Sequence, residues 1–276
     1  MDRKAIARET LKIMEQGYYE VNGQKVEIKA LQEESIQKSF LLTPEQGEEL
    51  IQTCQSSARG EKAKIRMLTL NCPTVEVILN CKKEGKDVAV LNFASAKNPG
   101  GGFLNGAMAQ EESLAASSSL YQTLLKHEDS YIVNRACKTM MYTDHAIYSP
   151  EVPFFRDGRF HLTEAPFTAS VLTLPAVNMG QVKLKGEDVT QAEAVMKHRM
   201  KLALAIFASQ NCRHLILGAY GCGVFRNDPQ KIALWWKELL EADFSGMFDT
   251  IVFAVLDRSS AGNCIQAFLH VFDSDQ

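Results

Sequence analysis

Two short runs of this chain, Val88-Ala89-Val90-Leu91 and Ile251-Val252-Phe253-Ala254-Val255, are apolar at every position. A strand with one wet face alternates polar and apolar residues, so a strand that does not alternate has to be covered on both faces. Helical patterns lie between runs of this kind. The spacing predicts strands over 65–70, 87–93, 145–148, 168–174, 215–219 and 250–256, and helices over 74–82, 111–125, 189–209, 229–242 and 261–271. Strands alternating with helices, and strands buried on both faces, imply an α/β fold of three layers, an αβα sandwich.

The first sixty residues read differently. Arg3 to Glu15 carries a helical pattern that ends at Gln16-Gly17, where glycine suits a helix C-cap. Tyr18 to Val21 and Val26 to Ile28 flank Asn22-Gly23, the residues of a tight hairpin turn. Thr43-Pro44-Glu45-Gln46 supplies an N-cap, a proline at the first helical position and a capping-box glutamine, predicting a helix to Ser57. Residues 56–64 read as a polar connection. The expected organisation is a mainly helical extension over 1–60 packed on a catalytic domain over 61–276.

Composition narrows the partners. Lys plus Arg number 30 against 33 Asp plus Glu, a net charge of −3, so the basic excess of a nonspecific nucleic-acid binder is missing. A polyanionic ligand would need a local site. No apolar run reaches the roughly 20 residues of a membrane helix, and Met1-Asp2-Arg3-Lys4 opens a charged amphipathic helix instead of a signal peptide. No membrane association is expected, and the location expected is the cytoplasm. The 7 cysteines are scattered, without CxxC or paired metal spacing, and are expected as reduced thiols. His145, His161, His198 and His214 have no zinc-ligand spacing, so no metal and no cofactor are expected. The chain is expected to be a monomer.

Ligands of open α/β sheets bind beyond the carboxyl ends of the strands, where loops pass into helix N-termini. Two glycine-rich segments fall there. Leu91-Asn92-Phe93-Ala94 leads into Asn98-Pro99-Gly100-Gly101-Gly102, and Gln110-Glu111-Glu112 opens the next helix. Gly218-Ala219-Tyr220-Gly221-Cys222-Gly223-Val224-Phe225 follows a later strand and leads through Asn227-Asp228-Pro229 into another helix. Two such loops would offer backbone N–H groups to a diphosphate without Lys or Arg, which fits the mild net charge. Neither loop is a Walker A sequence or a GxGxxG fingerprint. Cys222, set between two glycines, is expected to fill a small buried space.

These segments resemble the microbial-type poly(ADP-ribose) glycohydrolases, which are macrodomain proteins. The run Gly100-Gly101-Gly102, a seven-residue gap and Gln110-Glu111-Glu112 matches their signature. Further matches are Ile6 to Leu11, Gln16 to Tyr19, Tyr148-Ser149-Pro150 with Val152-Pro153 and Phe155-Arg156-Asp157, Gly221 to Phe225 with Asn227-Asp228-Pro229, and Phe253-Ala254-Val255 with Asp257-Arg258. The resemblance implies a macrodomain-like mixed sheet and hydrolysis of the ribose–ribose O-glycosidic bonds of poly(ADP-ribose), releasing ADP-ribose. It also implies roles. Glu112 would be the general acid and Glu111 would hold hydroxyls of the reacting ribose, with Gly100, Gly101, Gly102, Gln110 and Asn92 beside them. Backbone N–H groups of Gly221, Cys222, Gly223 and Val224 would meet the diphosphate, Phe225 would pack against the reacting ribose, and Arg258 would lie near the adenine. Asn71-Cys72-Pro73-Thr74 lacks the acidic residue that contacts adenine in the family, which leaves adenine readout open.

The chemistry agrees with one acid. Protonating a leaving ribose oxygen calls for a carboxylic acid titrating near the working pH, against roughly 4.3 for an unperturbed glutamate. The helix N-terminus opposes this, while Glu111, desolvation by the glycine loop and above all a bound phosphate favour the protonated acid. Consecutive helical residues point about 100° apart, so Glu111 and Glu112 do not form the opposed pair of ordinary glycosidases. The expected mechanism is Glu112 assisted by the substrate diphosphate. A hydrolase of mono-ADP-ribosylated protein or nucleic acid, and a noncatalytic ADP-ribose-binding module, remain alternatives for the same pocket.

Overall fold

The computed structural model describes residues 2–57 and 64–273. The expected connection at 56–64 and the boundary near residue 60 therefore fall largely outside the described residues. In chain order the elements are α1 (Arg3–Gln16), β1 (Tyr18–Val21), β2 (Gln24–Glu27), α2 (Lys29–Lys38), β3 (Phe40–Leu42), α3 (Pro44–Ser57), β4 (Arg66–Leu70), α4 (Thr74–Lys83) and β5 (Val88–Ala94). A 3-10 turn at Phe103–Asn105 precedes α5 (Gln110–Ser117), α6 (Leu120–Lys126), α7 (Glu128–Ala136), β6 (Ala146–Arg156) and β7 (Leu162–Pro175). The chain continues with α8 (Met179–Leu184), α9 (Val189–Ser209), β8 (His214–Leu217), α10 (Pro229–Ala242), β9 (Thr250–Ala254) and α11 (Asn263–Phe272).

The main sheet has seven strands in the order β3-β6-β7-β5-β8-β9-β4, and β1 and β2 form a separate hairpin. Pairing is parallel from β7 through β5, β8 and β9 to β4 and antiparallel for β7–β6 and β6–β3, which makes the sheet mixed. Both apolar runs divide their side chains between two cores. Ala89, Leu91, Ile251, Phe253 and Val255 face one cluster with residues of α3, α9, α10 and α11, while Val88, Val90, Val252 and Ala254 face another with residues of α4, α5, α6 and α7. Each fully buried aliphatic side chain contributes about 1.5–3 kcal/mol, so neither layer can be peeled away cheaply.

Residues 2–57 are bound into this sheet. Phe40–Leu42 pair with Ala146, Ile147 and Tyr148 as an edge strand, and α3 packs on α9. Helix α1 ends at Gly17 in the left-handed conformation, as its sequence predicts, and at its start Asp2 accepts from Lys4 N and Ala5 N.

Three differences from the sequence reading have physical causes. The helix expected over 111–125 is broken into α5 and α6 at Ser117-Ser118-Ser119. Ser118 is extended, its hydroxyl donates to Leu114 O, and Ser119 N donates to Pro153 O of β6, so serine side chains and a neighbouring strand outcompete helical bonding. The strands expected over 145–148 and 168–174 are parts of a much longer hairpin, β6 and β7. Proline lacks a ladder donor, but Pro150 falls at a register shift between Ser149 and Val152, with Glu151 at φ 47°, and the bulge absorbs it. The strand expected over 215–219 stops at Leu217, where the next carbonyl, Gly218 O, accepts from Tyr220 N at 2.8 Å and from Trp236 Nε1 at 3.1 Å instead of a ladder partner.

Candidate active site

At the carboxyl ends of β5, β8 and β9 lies a groove of about 980 Å³. Among its lining residues are Gly101, Gly102, Gln110, Glu111 and Glu112 on one side, Gly221 to Phe225 on another, and Arg258.

The acidic end is built from β5 and the first turn of α5. β8 pairs with β5 only as far as Val90, which leaves the next backbone groups of that edge open. Gln110 fills the gap: its Nε2 donates to Leu91 O at 2.8 Å and its Oε1 accepts from Phe93 N at 2.9 Å. The structure thus places Gln110, expected as a ligand contact, in a clamp that fixes α5 to the strand.

That clamp sets the two glutamates apart. Glu111 is 3% exposed. Its Oε2 accepts from Ser95 N at 2.6 Å and its Oε1 from Asn92 Nδ2 at 3.4 Å, and Asn92 also donates to Thr173 Oγ1 at 3.1 Å. Asn92 Oδ1 is buried without a partner among the described residues. Burial, aided by the neighbouring Glu112 charge and opposed by the Ser95 N–H, pushes the Glu111 carboxyl up from 4.5 to about 8. Glu112 is half-buried and faces the groove. Its Oε1 accepts from Gly102 N at 2.8 Å and its Oε2 from Ala109 N at 3.0 Å, so one carboxylate ties the glycine loop to the helix start.

Glycine is required where the two carboxylates converge. Gly100 and Gly101 have φ of 66° and 59°. A Cβ on Gly101 would collide with Glu112 Oε1 and lie 2.9 Å from Glu111 Oε2. Gly102 is constrained by Ala107, whose Cβ would be 2.6 Å from a side chain there.

The second loop is held from beneath. Trp236 is fully buried and its Nε1 donates to Gly218 O at 3.1 Å, while Tyr220 Oη donates to Leu174 O at 2.9 Å. Asn227 Nδ2 donates to Val177 O at 2.8 Å and to Gly221 O at 3.0 Å. Within the loop Cys222 N is used internally, donating to Ala219 O at 3.1 Å. It is therefore not one of the N–H groups turned to a ligand. Among the described residues the backbone N–H groups of Gly221, Gly223, Val224 and Phe225 have no partner. Four open donors just before α10 make a nest suited to an anion. Phe225 lies beside this nest with its ring centroid 6.1 Å from that of Tyr142.

Two residues of the far wall, Arg3 and Phe160, were not evident from sequence. The Arg3 guanidinium of α1 sits 4.1 Å from the Phe160 ring centroid at the turn between β6 and β7, and both line the groove with Pro73, Thr74 and Arg258. Burial and then the nearby Arg258 charge lower the Arg3 pKa. Arg156, 3% exposed, anchors this wall by donating to Glu9 Oε2 at 2.6 Å and Phe160 O at 3.1 Å. No local signal marks Arg3 or Phe160. Among the described residues no cluster of three or more His, Cys, Asp or Glu side chains could hold a metal, and no helix is long and apolar enough to cross a membrane.

A mixed sheet in an αβα sandwich, two glycine-rich loops at its carboxyl edge and a buried and a half-buried glutamate between them define a macrodomain-like ligand site. The sequence profile of the microbial-type PARG catalytic domain matches residues 7–157. The poly(ADP-ribose) glycohydrolase of Thermomonospora curvata superimposes with a TM-score of 0.94 at 37% identity, covering 98% of this chain and 99% of that one. The same enzyme bound to the inhibitor ADP-HPD gives 0.90 at 36% identity, with 97% and 98% covered. The Deinococcus radiodurans poly(ADP-ribose) glycohydrolase in complex with ADP-ribose gives 0.83 at 38% identity, with 93% and 99% covered. Comparison with curated protein sequences gives no match. The chain belongs to the microbial-type poly(ADP-ribose) glycohydrolase family.

Proposed function

We propose that this protein hydrolyses the ribose–ribose O-glycosidic bonds of poly(ADP-ribose) and releases ADP-ribose, with Glu112 as general acid and then general base. The observation that carries the reading is the placement of one half-buried and one buried glutamate at Gly101, in the same groove as the four open N–H groups of Gly221, Gly223, Val224 and Phe225. In this reading the nest holds the diphosphate, Phe225 packs on the reacting ribose, Arg258 lies toward the adenine, and Gly100 to Gly102 leave room for sugar and phosphate. Glu111 holds the hydroxyls of the reacting ribose, with Asn92 behind it. Glu112 passes its proton to the leaving oxygen, the diphosphate stabilises the oxocarbenium-like carbon, and the resulting carboxylate activates water.

Glu111 has a further effect on the pair. With a pKa of about 8 it is neutral at pH 7, so it sets no charge of its own against a bound diphosphate. The reading includes a cytoplasmic monomer acting on poly(ADP-ribose) or ADP-ribosylated macromolecules; seven free thiols suit a reducing compartment.

The test compares wild type with Glu112→Gln on poly(ADP-ribose) and on mono-ADP-ribosylated acceptors, with products identified by mass. Wild type is expected to release ADP-ribose from polymer. The variant should lose about 10²–10⁴ in rate, the usual worth of a positioned acid, while still binding ADP-ribose. Unchanged polymer turnover in the variant removes Glu112 from its role, and release only from mono-modified acceptors replaces the polymer as substrate.

A further inference from the structure

Phe225 gets little support from its own loop. Gly223 has open space beside it and Val224 is 82% exposed, so the residues before Phe225 do not brace its ring on the solvent side. Its backbone is fixed, because Gly180 N donates to Phe225 O at 2.9 Å. Its half-buried ring rests on the core and meets one further aromatic ring, that of Tyr142, at 6.1 Å between centroids and 43° between planes. Among the described residues neither ring makes another aromatic contact. A tilted pair at this separation is attractive.

Tyr142 does not itself line the groove. It stands in the connection between α7 and β6 with φ 59°, in the left-handed region that a bulky side chain rarely adopts. The surroundings impose this conformation. Arg199 of α9 is fully buried, and its Nε donates to Asp144 Oδ1 at 2.6 Å, its Nη1 to Met141 O at 2.7 Å and its Nη2 to Tyr142 O at 3.4 Å. Met140 N donates to Glu187 Oε2 at 3.0 Å, and Thr143 N to Asn134 Oδ1 at 2.9 Å. Asn178 N donates to Met140 O at 2.9 Å, so the start of α8 holds both this connection and, through Gly180, the backbone of Phe225. Backbone strain persists only where the structure around it enforces it, and it collects at functional sites. Glycine would adopt the same backbone at lower cost, so what a tyrosine adds here is its ring.

We propose that Tyr142 is a positioning residue: its ring, fixed from behind by Arg199, backs the ring of Phe225 and keeps it turned toward the reacting ribose. The proposal rests on the function proposed above, in which Phe225 packs on that ribose. Without the backing ring, Phe225 is free to enter other staggered rotamers, and the ribose is held less firmly against Glu112. The open N–H groups of the nest are untouched, so ligand binding is kept and the loss falls on the chemical step. Misplacing a reacting group by about 1 Å costs on the order of 100-fold in rate, and the partial loosening of one ring is expected to cost about tenfold.

The test uses the full chain with Tyr142→Gly, which suits the left-handed backbone and deletes the ring, Tyr142→Asn, which also tolerates that backbone, and Tyr142→Phe, which keeps the ring. Melting curves establish which variants fold. The glycine and asparagine variants should lose about tenfold in kcat on poly(ADP-ribose) with ADP-ribose affinity changed less than twofold, and Tyr142→Phe should restore kcat. A kcat within twofold of wild type in a folded variant without the ring overturns the proposal, as do equal losses in kcat and affinity, or a phenylalanine variant as slow as glycine. Fluorine NMR of 4-fluorophenylalanine placed at position 225 reads the ring directly, and its resonance should move in Tyr142→Gly and stay in Tyr142→Phe. An unmoved resonance in Tyr142→Gly also overturns the proposal. Wild type that leaves the polymer intact counts against the hydrolase reading, while the resonance still decides whether Tyr142 holds Phe225.

Discussion

Burial of Glu111 predicts a stability that declines with pH, and Glu111→Gln should abolish that decline. The carboxyl stands at about 8 in the folded chain against an ordinary value of 4.5, chiefly through desolvation. An acid whose folded pKa is raised holds its proton more tightly folded than unfolded, so its contribution is fully present below the unfolded value. It is lost as pH rises through the folded value. Integrated between pH 5 and pH 9, these two values give a loss of about 4 kcal/mol, on the order of 10 °C in melting temperature for a chain of this size. Glutamine has no proton to lose. Its oxygen can accept from Ser95 N as Glu111 Oε2 does, and its amide can donate to Asn92 Oδ1, an atom otherwise without a partner, once the Asn92 amide turns. Urea unfolding at pH 5, 7 and 9 measures the difference between the two proteins, in which the other titrating groups cancel. The variant should gain on wild type by about 4 kcal/mol from pH 5 to pH 9. A difference that is the same at both ends would mean that Glu111 does not hold its proton in the folded protein, and the reasoning would fail.

Gly101→Ala should cost about 1–2 kcal/mol from the left-handed backbone alone. Because its Cβ also meets both glutamates, turnover should fall more than ADP-ribose affinity, which rate and titration measurements separate; equal losses would contradict the geometry. Asn227→Ala removes two hydrogen bonds, to Val177 O and Gly221 O, that hold the anion nest. At about 1 kcal/mol each, ADP-ribose affinity should drop on the order of tenfold, and an unchanged titration curve would show that the nest is held by other contacts. Deleting residues 1–60 strips the edge strand from β6 and removes Glu9 from the buried Arg156. The remaining chain should not fold, since an uncovered sheet edge and an uncompensated buried charge are both unfavourable; a soluble fragment 61–276 that melts cooperatively would establish an independent catalytic domain.

What could be read from the sequence was what neighbouring residues decide among themselves. The apolar runs at 88–91 and 251–255 require cover on two faces whatever covers them, and the structure divides their side chains between two cores. Gly17 and Pro44 mark helix ends by their own conformational chemistry. The glycines and glutamates of 100–112 announce a carboxylate site because its backbone geometry and its acids lie within one turn and one loop.

Other features depend on partners that no window of sequence contains. Gln110 becomes a clamp because β8 stops pairing at Val90, which leaves Leu91 O and Phe93 N free for its side chain. The serines at 117–119 break a helix because Pro153 O waits across the gap. Pro150 is tolerated inside a strand because β7 accepts a bulge. The groove follows the same division. Its reacting end is assembled from consecutive residues and so has a motif. Its far end joins Arg3 of α1, Phe160 of the β6–β7 turn and Arg258 beyond β9, with the Glu9–Arg156 pair tying the first two together. Substitutions that preserve every residue of the motif can therefore still change what the far end of the groove admits.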